Sequence, residues 1–130
     1  MAEKRWRVLL VDDDPGVLKM FGKRLEMAGY AVIPASNGEE ALANIAAEPP
    51  DVIILDIMLP KLNGYEVCAK LKRDPATQHI PVIMFTAKDQ PKDHIVGLML
   101  GANAYISKTC DGAVLVEQVR TLLARSGEPA

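Results

Sequence analysis

Apolar positions along this chain follow two alternating rhythms. Short runs rich in Val, Ile and Leu occupy Arg7 to Val11, Ala31 to Ala35, Val52 to Leu55, Val82 to Phe85 and Tyr105 to Ser107, and they read as β-strands. Between them lie longer stretches in which apolar residues recur with helical period. Asp14 before Pro15 supplies an N-cap followed by a first-turn proline, after which Val17, Leu18, Phe21 and Leu25 return on one face until the helix ends near Gly29. A second helix is expected after Asn37-Gly38, a third after Asn63-Gly64, a fourth after Asp89 to Pro91 and a fifth from close to Asp111.

Strand runs without strict polar alternation need cover on both faces, which implies a parallel sheet between two helix layers. Right-handed crossovers leave few ways to connect five such units. The expected fold class is α/β: a flavodoxin-like, doubly wound (βα)5 domain with a five-stranded parallel sheet of order 2-1-3-4-5 and helices on both faces. The 130 residues fit one domain, with a core over about 5–125 and a short tail at 126–130. Ligands of such sheets sit at the carboxyl ends of the strands.

Composition narrows the function classes. With 49% hydrophobic residues the core is ample, and the 15 basic and 17 acidic side chains, scattered to a net charge of -2, form no basic stripe for nucleic acid or an anionic membrane. The apolar runs are too short to span a bilayer and no signal segment follows the charged start, so a cytoplasmic protein is expected. Cys68 and Cys110 lack CxxC spacing and read as two reduced, packed thiols, while His79 and His94 read as surface residues.

The chemistry is concentrated at the strand ends. Asp12 and Asp13 follow the first strand, Asp56 the third, Thr86 the fourth and Lys108 the fifth. Strands about 4.8 Å apart make Asp56 a neighbour of the Asp12/Asp13 pair, with Lys108 starting roughly 10 Å from Asp56, most of which its four-carbon stem can cover. Carboxylates about 4 Å apart repel by about 4 kcal/mol per pair at an effective dielectric near 20, so they need a compensating cation. Hard oxygens without His or Cys suit Mg2+, whose charge aids phosphoryl transfer. In that reading Asp56 is the nucleophile, Thr86 donates its hydroxyl to a phosphoryl oxygen and Lys108 sets a point charge beside another. Asp14 is expected to cap the first helix rather than bind metal.

The segments VLLVDDDP, VIILDIMLPKLNGYEV, PVIMFTAK and GANAYISK, in that order over nearly the whole chain, resemble the receiver domain of bacterial two-component response regulators, of the chemotaxis-regulator-like kind. The resemblance implies Asp12 and Asp13 as the acidic metal pair, Asp56 as phosphoacceptor, Met58 as a metal ligand through its backbone carbonyl, Thr86 and Tyr105 as the switch pair and Lys108 as phosphate partner. It further implies Mg2+, with Mn2+ as a substitute, and a sensor histidine kinase or histidine phosphotransfer protein as donor. A downstream protein target or output domain would read the signal, by a monomer or a phosphorylation-dependent dimer, with no direct contact to nucleic acid or membrane. Such a domain assists its own phosphorylation and dephosphorylation and is not otherwise an enzyme.

The chain departs from the family pattern at Lys108-Thr109-Cys110, where receivers usually carry Lys-Pro, commonly cis, and then an aromatic residue. A non-proline cis bond costs about 2.5–4 kcal/mol, so the expectation is either a trans bond or a strained one. The resemblance places the switched partner-binding face on the fourth helix, fifth strand and fifth helix, where Asn103-Ala104 replaces a frequent acidic pair, and RDPATQHIPVI resembles stand-alone, hybrid-kinase and cyclase-linked receivers more than those fused to winged-helix domains. Val96 and Met99, one turn apart on the expected fourth helix, form a candidate apolar partner patch. Two rivals remain: a haloacid-dehalogenase-type phosphohydrolase with Asp12 as nucleophile, and a degenerate receiver serving as an unphosphorylated interaction module.

Overall fold

The strands Arg7–Val11 (β1), Ala31–Ala35 (β2), Val52–Leu55 (β3), Val82–Thr86 (β4) and Ala104–Ser107 (β5) pair in parallel in the order β2-β1-β3-β4-β5. The expected order holds, and β4 and β5 each run one residue longer than the apolar pattern indicates. The structure is a computed structural model that describes residues 5–59, 62–87 and 101–125.

Among the described residues four helices accompany the strands: Pro15–Met27 (α1), Gly38–Ala47 (α2), Gly64–Arg73 (α3) and Gly112–Arg125 (α4). The last is the helix expected fifth from the sequence. The one expected after Asp89 to Pro91, with His94, Val96 and Met99, lies outside the described residues. Local chemistry explains the starts. Asp14 accepts the Gly16 N–H at 2.8 Å, which makes it a cap as expected. Asn37 caps α2, and Asn63 and Glu66 form a reciprocal capping box on α3. Helix α1 ends at Gly29, whose φ of 103° is left-handed backbone that glycine adopts freely.

The sheet separates two apolar clusters, as a doubly wound fold requires. Leu9, Val11, Ile53, Leu55, Val82 and Met84 pack under α2 and α3 with Ala41, Ile45, Val67 and Leu71. Their strand neighbours Val8, Leu10, Ile54, Ile83 and Phe85 face α1 and α4, where Phe21 meets Phe85 edge-on at 4.8 Å. Burial on both faces accounts for the unbroken VIIL run of β3. Among the described residues no helix is long and apolar enough to cross a membrane.

Candidate functional site

Sheet register decides which side chains can meet. Val11 pairs with Leu55, so Asp12 and Asp56 leave adjacent strands side by side, and the Asp56 N–H donates to the Val11 carbonyl at 3.1 Å. Each acid is fixed by its own loop: Asp12 Oδ1 accepts the Asp14 N–H at 2.9 Å and Asp56 Oδ1 accepts the Met58 N–H at 3.1 Å. Their second oxygens face Lys108.

Lys108 arrives from two strands away. Thr86 pairs with Ser107, the Lys108 N–H donates to the Thr86 carbonyl at 2.9 Å, and the side chain then crosses the end of β4. Its Nζ lies 2.6 Å from Asp12 Oδ2 and 2.9 Å from Asp56 Oδ2. Among the described residues the peptide bonds are trans, Lys108-Thr109 included, and the ammonium reaches both acids from that backbone.

Among the described residues, the electrostatics are those of buried carboxylates facing the Lys108 ammonium. The side chains of Asp12 and Asp56 are 0% and 2% exposed, and that of Lys108 18%. Burial pushes the Asp12 carboxyl above its ordinary value, because the pull of Lys108 only partly offsets lost hydration. Burial alone would lower the Lys108 value, but Asp12 and Asp56 together hold it above the ordinary one, so the ammonium stays charged. Asp12 Oδ2 makes no well-directed hydrogen bond despite the close ammonium, so that contact is one of charge.

The donor set fits a hard divalent cation. One carboxylate oxygen each from Asp12, Asp13 and Asp56 lie within 4.8 Å of one another, Asp13 is exposed, and the buried Asp12 Oδ2 is short of directed partners. An ion held here by carboxylates would keep a water-facing side, which Mg2+ prefers.

Thr86 is fully buried at the end of β4, and Tyr105 is half-buried against the cluster beneath α2 and α3. Met58 leaves its side chain 59% exposed while its N–H holds Asp56. The site therefore gathers Asp12, Asp13, Asp56 and Lys108, with Thr86 at the adjoining strand end, while the Tyr105 ring packs into a helix layer. Sequence reasoning missed Gly64: a Cβ there would stand 2.1 Å from the Asp56 carbonyl oxygen, so the start of α3 packs directly on the acid's backbone. Asn63-Gly64 signals a helix start but carries no sign of that contact.

Residues 8–120 match the family model described as the response regulator receiver domain. The chain is 43% identical over 120 residues to the DNA-binding dual master transcriptional regulator RpaA of a Synechocystis species, covering 92% of this chain and 50% of that protein. It is 42% identical over 120 residues to the alkaline phosphatase synthesis transcriptional regulatory protein PhoP of Bacillus subtilis, covering 92% of this chain and 49% of that protein. The chain thus spans about half the length of the curated relatives it matches. Among solved structures, the signal receiver domain of a signal transduction histidine kinase from Syntrophus aciditrophicus superposes with a TM-score of 0.88 at 34% identity, covering 96% of this chain and 95% of that one.

Proposed function

Since this chain belongs to the response regulator receiver domain family, we propose that Asp56 accepts a phosphoryl group from a phosphohistidine of a sensor kinase or phosphotransfer protein in the cytoplasm. The carrying observation is the convergence of Asp12, Asp13, Asp56 and the Lys108 ammonium at one sheet edge. In the transfer an Asp56 carboxylate oxygen forms a bond to phosphorus as the donor's P–N bond breaks, and the departing imidazole takes up a proton. Backbone hydrogen bonding of Asp56 Oδ1 to Met58 orients the acid. Lys108, beside Asp56 Oδ2, supplies fixed positive charge toward the equatorial oxygens.

Asp12, Asp13 and Asp56 would hold Mg2+, or Mn2+ in its place, with the Met58 carbonyl as the further ligand that the family resemblance implies. When bound, the ion neutralises charge on the transferring group. The dehalogenase-type rival is set aside, because the chain belongs to the receiver family and such an enzyme would leave the buried Asp56 beside Lys108 idle.

Phosphorylation adds about 1.5–2 negative charges. Drawing Thr86 and Lys108 toward that charge would release Tyr105 to repack and shift the surface around β5 and α4, which a protein target or output domain then reads. Moving such a switch from 1:99 to 99:1 takes about 5.5 kcal/mol of differential stabilisation, the scale of two or three charge-assisted hydrogen bonds at about 1.5–3 kcal/mol each. The domain assists its own phosphorylation and releases no diffusible product beyond phosphate.

Intact-mass measurement after incubation with acetyl phosphate and Mg2+ tests the reading. One added phosphoryl group that Asp56→Asn abolishes supports it. Labelling that survives Asp56→Asn and is lost in Asp12→Asn would return the rival, and an unlabelled protein without a Mg2+-dependent rise in melting temperature would indicate a degenerate receiver.

A further inference from the structure

Lys108 leaves the sheet on a hydrogen-bonded turn after β5. The Ser107 carbonyl accepts the Cys110 N–H at 3.1 Å, which closes a four-residue turn with Lys108 and Thr109 at its centre. On one side of the lysine its own N–H is tied to the Thr86 carbonyl. On the other, the Thr109 N–H donates to Ser107 Oγ at 3.2 Å, and the Ser107 and Thr109 hydroxyls are hydrogen-bonded at 2.8 Å. Lys108 is bracketed by these bonds. A proline at position 109 would carry no N–H for Ser107 to accept, so this arrangement belongs to the Lys-Thr sequence of this chain.

We propose that the Ser107–Thr109 hydroxyl pair is a positioning device that aims Lys108 at Asp12 and Asp56 and thereby sets the rate of phosphoryl transfer. The proposal rests on the reading of Asp56 as phosphoacceptor. Lysine has a long, flexible stem, yet its ammonium meets two carboxylate oxygens at 2.6 and 2.9 Å, so its backbone origin must be fixed. Misplacement of a reacting group by about 1 Å can cost about 100-fold in rate. The Ser107 and Thr109 hydroxyls bond to each other and not to the reacting acids, so they act through Lys108.

The test compares phosphorylation rates with acetyl phosphate at saturating Mg2+. Ser107→Ala is expected to slow labelling about five-fold, the equivalent of about 1 kcal/mol, whereas Thr109→Ser, which keeps both the hydroxyl and the N–H, holds the wild-type rate. Mg2+ affinity, read calorimetrically, stays unchanged in Thr109→Ser, and saturating Mg2+ keeps any change of affinity in Ser107→Ala out of the measured rate. In a Lys108→Ala background Ser107→Ala should add nothing. An undiminished rate in Ser107→Ala, or the same slowing when Lys108 is already absent, overturns the proposal. Should the wild type accept no phosphoryl group, the functional reading fails by itself. The aiming device is then judged by a urea-unfolding double-mutant cycle of Ser107→Ala and Lys108→Ala, where absence of coupling refutes it.

Discussion

Replacing Lys108 with methionine keeps the stem and removes the charge, leaving Asp12 and Asp56 buried with no described cation against them. Carboxylate oxygens within 4.8 Å of each other repel by at least about 3.5 kcal/mol per pair at an effective dielectric of 20. Removing one partner of a buried ion pair costs about 3–5 kcal/mol. The lower end applies here, because Lys108 keeps 18% exposure and Asp13 opens the cluster to water. At about 2.1 cal/mol/K of unfolding entropy per residue, a loss of about 3 kcal/mol in a 130-residue chain lowers the melting temperature by about 11 °C. The sign of the pH dependence follows from Asp12. Its folded value is raised, so the fold favours the protonated acid. The cost of ionising it is therefore absent in acid and appears as the pH climbs through the folded value. The deficit of Lys108→Met should accordingly be large at neutral pH and shrink on acidification. A divalent ion takes over the missing charge, and at one hundred times its dissociation constant it restores about 2.7 kcal/mol. Paired thermal melts with and without Mg2+ decide the matter. Equal stability of variant and wild type without Mg2+, or a Mg2+-induced rise no larger in the variant, would refute the charge accounting.

Gly64→Ala forces a Cβ to within 2.1 Å of the Asp56 carbonyl oxygen, where only backbone is present to yield. Destabilisation above about 2 kcal/mol and slower phosphoryl uptake are expected in urea melts and labelling. Gly22→Ala is the contrasting case, since its Cβ would meet Val32 and Leu10 side chains at 3.8 and 3.9 Å. A gain of about 0.5–1 kcal/mol from helix propensity is expected there, and a loss would show the α1 packing to be tighter than those distances imply. Cys68 is fully buried and its thiol is pushed above the ordinary value by that burial. In native protein at neutral pH iodoacetamide should leave it unmodified while slowly alkylating the half-buried Cys110, with both reacting in urea; equal native rates would contradict the core assignment.

Much of the fold is legible in the sequence because its signals are local. The unbroken VIIL run marks β3 as buried on both faces, Asn37 and Asn63 announce helix starts through their own side-chain bonds, and Pro15 fits only a first turn. The acids of the site are legible for the same reason, Asp12 and Asp56 each being the first polar residue after a strand and Asp13 the residue next to Asp12. What escapes is long-range. That Lys108 spans the distance to both Asp12 and Asp56 depends on a turn whose Thr109 breaks the expected pattern. In the sequence Asn103 reads only as a lost acid on a partner face. Its side-chain carbonyl instead accepts the Val82 N–H at 2.9 Å and the Lys72 ammonium at 3.2 Å, stitching the approach to β5 onto β4 and α3. No periodicity reports a bond between residues 31 or 21 positions apart, because it arises from sheet register and not from neighbouring residues.

Charge at the site has a consequence that no single contact conveys. Among the described residues, three carboxylates and one ammonium give the site a formal charge of -2, which a divalent cation would bring to zero. Without the cation the burden falls on Asp12, whose raised value shows that burial already favours its protonation. Phosphorylation then adds about 1.5–2 negative charges to the neutralised site, creating a demand that the Lys108 ammonium, released from sharing itself between two acids, is placed to meet. Under the proposed function, the same lysine that pairs with both acids in the resting fold would change partners on phosphorylation. Because its backbone is tied to Thr86, that change would, under the proposed function, be felt by β4 and β5 together.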